Sequence, residues 1–116
     1  MSSVPTNKTV KTVSVRAKAA APVLKEVRKR DGSMSPFDRE RIKNAIQRAM
    51  IAYTEGSAAD AERVTVAVEV ALLRNLKSHK GHVPSVEEVQ DTVESELIYK
   101  DFAKTAKGYI LYREEH

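Results

Sequence analysis

From Asp38 onward the apolar residues return at the three-to-four-residue spacing of a single helical face. Ile42, Ala45, Ile46, Ala49, Met50 and Tyr53 form the first such stripe, with the Asp38 carboxylate as its N-cap. Gly56-Ser57 interrupts it, and Ala61, Val64, Val68, Ala71, Leu72 and Leu76 predict a second helix from about 58 to 78. Val64, Thr65, Val66, Val68 and Val70 would also suit a strand, but the periodic stretch is longer than strands usually are. Gly81 is expected to end this helix, and His82-Val83-Pro84 to add a short strand. Ser85-Val86-Glu87-Glu88 reads as a capping box opening a third helix, whose stripe is Val86, Val89, Val93 and Leu97. Asp101 reads as the cap of a fourth, with Phe102, Ala106, Tyr109 and Arg113 on one face. Its last residues, Arg113-Glu114-Glu115-His116, carry no Gly or Pro stop and read as a cut just past a domain boundary.

Residues 24–37, ahead of these helices, break the helical period. Asp31-Gly32 predicts a hairpin turn, because both residues tolerate positive φ. Pro36 confines the second strand to an edge or ends it. If the first strand runs through the turn, Val27 and Lys29 face one way, and Arg28 and Arg30 the other. The expected fold class is therefore α+β, mainly α: four helices capped by a small three-stranded sheet, the N-terminal hairpin plus one short strand.

Charge divides the chain. There are 20 Lys plus Arg against 16 Asp plus Glu, and residues 1–22 hold Lys8, Lys11, Arg16 and Lys18 with no acid, which is the entire excess. We expect a disordered basic leader over 1–22 and one domain over 23–116. A balanced domain lacks the overall basic surface of a nucleic-acid-binding module, so that class survives only through the leader and the hairpin. A purely structural interaction domain is the other alternative. No run of about 20 apolar residues is present to span a membrane, and no cysteine is present to form a disulfide, so the chain reads as cytoplasmic.

Catalytic chemistry is poorly represented. The three histidines, His79, His82 and His116, stand beside no nucleophile pattern, so the chain reads as non-catalytic. His79 and His82 straddle Gly81 without a third ligand, which speaks against a metal site. Gly32, Gly56, Gly81 and Gly108 match no phosphate-binding loop, so a nucleotide site here must rely on side chains. Val27-Arg28-Lys29-Arg30 is the candidate, although such a run taken alone is more often a solvated sheet edge.

The longer string alters that balance. Val27-x-Lys29-Arg30-Asp31-Gly32-x-x-x-Pro36-Phe37-Asp38-x-x-x-Ile42-x-x-Ala45-Ile46 resembles the start of the ATP-cone domain. Ser85-Val86-Glu87-Glu88-Val89-Gln90-x-x-Val93-Glu94 is similar to that family's third-helix entry, and Tyr109-Ile110-Leu111-Tyr112-Arg113 to its last helix. The resemblance implies a regulatory domain of a ribonucleotide reductase that binds ATP as activator and dATP as inhibitor, one nucleotide or a pair, and acts through oligomeric state. It implies as partners the remainder of the reductase and its other subunits. It implies nucleotide contacts from Val27, Lys29, Arg30, Asp38, Arg41, Ile42, Val86, Gln90, Tyr109 and Arg113. Lys29, Arg30, Arg41 and Arg113 would face the triphosphate, and Val27, Ile42 and Tyr109 would form a slot for the base. Mg2+ is expected to accompany the triphosphate, whose negative charge attracts it. The family also includes a transcriptional repressor of reductase genes, but that protein resembles a zinc ribbon joined to the cone, and this chain has no cysteines for a ribbon.

Overall fold

Two three-residue strands, β1 (Glu26–Arg28) and β2 (Met34–Pro36), open the computed structural model, which describes residues 24–79 and 81–115; the expected leader lies outside them. The strands pair antiparallel with Val27 opposite Ser35. Residues 29–33 connect them, closed around a three-residue tip: the Gly32 N–H donates to the Lys29 carbonyl at 2.9 Å, and the Lys29 N–H to the Ser33 carbonyl at 2.8 Å. Gly32 alone takes positive φ, +89°, the position where such loops need a glycine. Asp31 serves differently from expectation, its carboxylate accepting from the Ser33 N–H and hydroxyl at 2.9 and 2.6 Å. Because β1 ends at Arg28, Lys29 and Arg30 stand in the turn, and the strand alternation expected for them does not reach that far.

The third strand reduces to one parallel bridge between Arg28 and Ser85, made by the Arg28 N–H donating to the Pro84 carbonyl at 2.9 Å. Proline has no N–H to extend a ladder, so the segment docks on the hairpin without joining it as a strand.

Four helices follow: α1 (Arg39–Ala52), α2 (Ala58–Ser78), α3 (Val86–Tyr99) and α4 (Ala103–Glu115). Asp38 caps α1, accepting from the Glu40 and Arg41 N–H groups. Ser57 and Asp60 form a full capping box on α2, and Ser85 accepts from the Glu88 N–H at the start of α3. Helix α2 spans the expected 58–78, with His79 as its C-cap. The remaining correction is Asp101. It precedes α4 with φ +67°, in the left-handed position that terminates α3: its N–H donates to the Ile98 carbonyl and the Phe102 N–H to the Leu97 carbonyl, a Schellman closure.

The helices run up, down, up and down, each packed on its chain neighbours, with α4 closing the ring against α1. Ile46, Met50, Val64, Val68, Leu72, Val93 and Leu97 are almost wholly excluded from solvent and form the shared core. Thr65 is buried among them with its hydroxyl satisfied by the Ala61 carbonyl at 2.8 Å. Gly108 sets the α1–α4 distance, since a Cβ there would lie 2.3 Å from Cε1 of Tyr53. Among the described residues no helix is long and apolar enough to cross a membrane.

Candidate functional site

The up-down order brings the start of α1, the start of α3 and the end of α4 to the bundle end that carries the hairpin. All the residues expected at a nucleotide site lie on these four elements. Val27 and Ile42 are half-buried and pack against the core, as the apolar floor of a slot requires. Val86, the first residue of α3, is also half-buried beside the bridge at Ser85. Tyr109 belongs to the core outright at 4% exposure; burial pushes its hydroxyl up to about 12, and its ring tilts against Tyr112 with centroids 6.1 Å apart. Asp38 is committed to capping α1.

The four expected cations divide into two pairs. Lys29 and Arg41 are exposed, and neither has an ion-pair partner among the described residues. Arg30 donates from Nε to Oε2 of Glu87 at 2.6 Å, joining the hairpin to the first turn of α3. This hydrogen bond, an N–H at the helix start and the charges of Arg30 and Arg113 hold the Glu87 carboxyl below its usual range. Arg113 joins α4 to α3: its Nη1 donates to Oδ1 of Asp91 at 2.9 Å and also to Oε2 of Glu94. Burial opposes charge on Arg113, but these two carboxylates outweigh it and hold the guanidinium more firmly protonated than usual.

Gln90 lies between those two ion-pair clusters, one turn beyond Glu87 and one turn before Glu94. Its Oε1 is buried and has no hydrogen-bond partner among the described residues. An acceptor left so costs about 1–3 kcal/mol unless a ligand or water donates to it. Among the described residues this end of the bundle therefore offers apolar walls, cations that are either exposed or ion-paired, and a buried acceptor without a donor.

Glu87, Asp91 and Glu94 were not anticipated as site residues. Their sequence signal is an acidic stripe on α3 at spacings of four and three, readable beside Gln90 once the helix is placed. A shallow groove of about 430 Å3 opens between α2 and α3, but Glu87, Glu88, Asp91 and Glu96 line it together with Ala71 and Ser85. That lining repels a polyphosphate, so the groove is not the anion site. His82 faces Glu88 at 2.8 Å. Among the described residues no three His, Asp or Glu side chains are grouped to hold a metal ion.

Comparison with known proteins bears on the family. Residues 25–116 match the ATP cone domain. The chain is 43% identical over 98 residues to a vitamin B12-dependent ribonucleoside-diphosphate reductase of Thermoplasma acidophilum. It is 33% identical over 89 residues to an anaerobic ribonucleoside-triphosphate reductase of Escherichia coli, and 30% over 96 residues to the alpha subunit of a ribonucleoside-diphosphate reductase of Chlamydia trachomatis. These matches cover 80%, 77% and 75% of this chain but only 12%, 12% and 9% of the relatives, so the chain spans about an eighth or less of the proteins it resembles.

Proposed function

The chain belongs to the ATP-cone family, and from that premise we propose that it is the nucleotide sensor of a ribonucleotide reductase, a non-catalytic domain that takes ATP as activator and dATP as inhibitor. A regulatory, nucleotide-binding role follows from the family itself; the identity of the effectors and the nature of the response are our reading. The observation that supports it is the Oε1 of Gln90, buried and without a partner among the described residues, at the bundle end that carries the hairpin.

The chemistry of the proposed ligand suits that arrangement. Adenine presents an exocyclic amine, a donor for Gln90 Oε1, whereas guanine presents a carbonyl at the same ring position and would leave two acceptors opposed. Val27 and Ile42 supply apolar contact for the base, and the cations supply charge-assisted hydrogen bonds to the phosphates. Among the described residues the carboxylates near these cations are held by arginines and form no cage for Mg2+, so an ion accompanying the triphosphate would be held mainly by the phosphates themselves.

ATP and dATP differ by one ribose hydroxyl, so contacts to base and phosphate alone do not separate them. A ligand shifts a conformational equilibrium only by its differential affinity for the two states. The two nucleotides must therefore settle the hairpin and helices differently, or bind in different number. With the apolar stripes of α1, α3 and α4 largely consumed by the core, the outlet for such a difference is the surface offered to another subunit.

Calorimetry of this chain with ATP, dATP and GTP tests the reading. We expect saturable binding of both adenine nucleotides and at least tenfold weaker binding of GTP. Light scattering of a reductase carrying the domain should then show a larger assembly with dATP than with ATP. Absence of any adenine-nucleotide binding overturns the reading. Binding to nucleic acid that weakens steeply with salt, with no response to free mononucleotide, would favour the nucleic-acid alternative.

A further inference from the structure

Two of the four cations assigned to the phosphates already hold anions, and the anions come from one helix. Glu87, Asp91 and Glu94 follow α3 along a single stripe, and the arginines that meet them come from the hairpin and from α4. Like charges at these helical spacings destabilise a helix. Only Glu87, in the first turn, gains from the helix dipole. The stripe is therefore stabilised mainly by Arg30 and Arg113, the groups a polyphosphate would claim.

We propose that Glu87, Asp91 and Glu94 act as an internal anion, holding Arg30 and Arg113 in the nucleotide-free domain, so that a polyphosphate binds by exchange with them. The inference rests on the nucleotide reading above and adds the groups that set its affinity. The two arginines contribute unequally. Arg30 and Glu87 are 72% and 41% exposed, so water and salt screen their pair and the exchange there is easy. Arg113 and Glu94 are 18% and 21% exposed, so this pair is the stronger competitor. Exchange has a second consequence. Once phosphate takes Arg113, the ion pairs tying the end of α4 to α3 are released, and Asp91 and Glu94 stand uncompensated at a groove also lined by Glu87, Glu88 and Glu96. Phosphate occupancy is thereby converted into a change of helix attachment and surface charge.

The test is calorimetry on the full chain with ATP and with adenosine, which shares the base but has no phosphate. Glu94→Gln, close in size, should tighten ATP about tenfold, and Glu87→Gln about threefold, in line with their different screening. Adenosine affinity should remain unchanged. In an Arg113→Ala background the Glu94→Gln gain should vanish, because no cation remains to be released. If Glu94→Gln loses its cooperative thermal melt, Asp91→Asn carries the same expectation at about threefold, its carboxylate being 69% exposed. ATP binding to the wild type with no tightening in the folded variants overturns the exchange while leaving the nucleotide reading in place. Failure of wild type and variants alike to bind ATP removes both.

Discussion

The two ends of the four-helix bundle are built to opposite rules. Away from the hairpin, where α1 meets α2 and α3 meets α4, the backbone is closed on itself. Thr54 and Asp101 adopt positive φ, +52° and +67°, so that the following N–H groups return to the Met50 and Leu97 carbonyls. Glu55 crosses to the start of α4 and accepts from the N–H and hydroxyl of Thr105 at 2.7 Å each, and Tyr53 lies against Gly108. At the hairpin end the contacts are ion pairs between elements, and among the described residues Lys29 and Arg41 are exposed without an ion-pair partner and the buried Gln90 Oε1 lacks a donor. Natural proteins depart from local optimality where they bind, and here the departures collect at one end. The contrast makes a separable claim: substitutions at the hairpin end should move ligand affinity, and those at the far end should move stability.

The largest effect is expected from Lys29→Ala. A charge-assisted contact is worth about 1.5–3 kcal/mol, so ATP binding should weaken ten- to a hundredfold. Lys29 is exposed with no ion pair among the described residues, so the melting temperature should stay within a degree or two. Unchanged affinity in calorimetry would reject the hairpin as the phosphate site. A large loss of stability with little loss of binding would erase the distinction between the ends.

The far end should show the reverse with Gly108→Ala. Alanine favours a helix interior over glycine by about 1 kcal/mol, but its Cβ would sit 2.3 Å from the Tyr53 ring, an overpacking that costs about 1–3 kcal/mol. We expect a net loss of up to about 2 kcal/mol, a drop of up to several degrees in melting temperature, with ATP affinity in the cold unaltered. Combining the change with Tyr53→Ala should make the alanine stabilising relative to Tyr53→Ala alone. A single variant that melts higher than wild type would show that Tyr53 yields freely and that the close approach constrains nothing.

The same contrast explains what could be read from the residues alone. Helical period and Ser or Asp caps are local, and they placed α2 at 58–78 and Asp38 at the head of α1 as observed. Asp101 was misread because an aspartate just ahead of a helix is ordinarily its cap, while the left-handed position it occupies usually carries glycine. Thr54 is hidden for the same reason. At the other end the cations were visible in the sequence, but their partners were not. Whether Arg113 meets Glu94 depends on how α4 lies along α3, and no local spacing encodes that. A third strand was expected from His82-Val83-Pro84, but whether such a segment pairs fully or makes one bridge depends on where Pro84 meets Arg28.

The smallest effect, and the most direct probe of how the far end is held, is the pH response of Glu55. Burial raises its pKa, but the Thr105 hydroxyl and N–H, the Lys104 N–H and the Lys104 charge outweigh it and hold the carboxyl below its ordinary 4.5. A carboxylate depressed in the folded state contributes stability that is complete above the unfolded value and is lost as pH falls through the folded one. Glu55→Gln keeps an acceptor oxygen for Thr105 but loses the charge at the start of α4, a change of about 0.5–1 kcal/mol. The wild type should therefore melt a few degrees above the variant at pH 7, and the gap should close as pH drops below 4.5, followed by circular dichroism. ATP affinity at pH 7 should match between the two, because Glu55 lies at the end of the bundle opposite the hairpin. A gap that persists unchanged at low pH would mean that the shape of the side chain, not its charge, caps α4. A parallel fall in ATP affinity would mean that the two ends communicate through α4, whose first turn Glu55 holds and whose last turn carries Arg113.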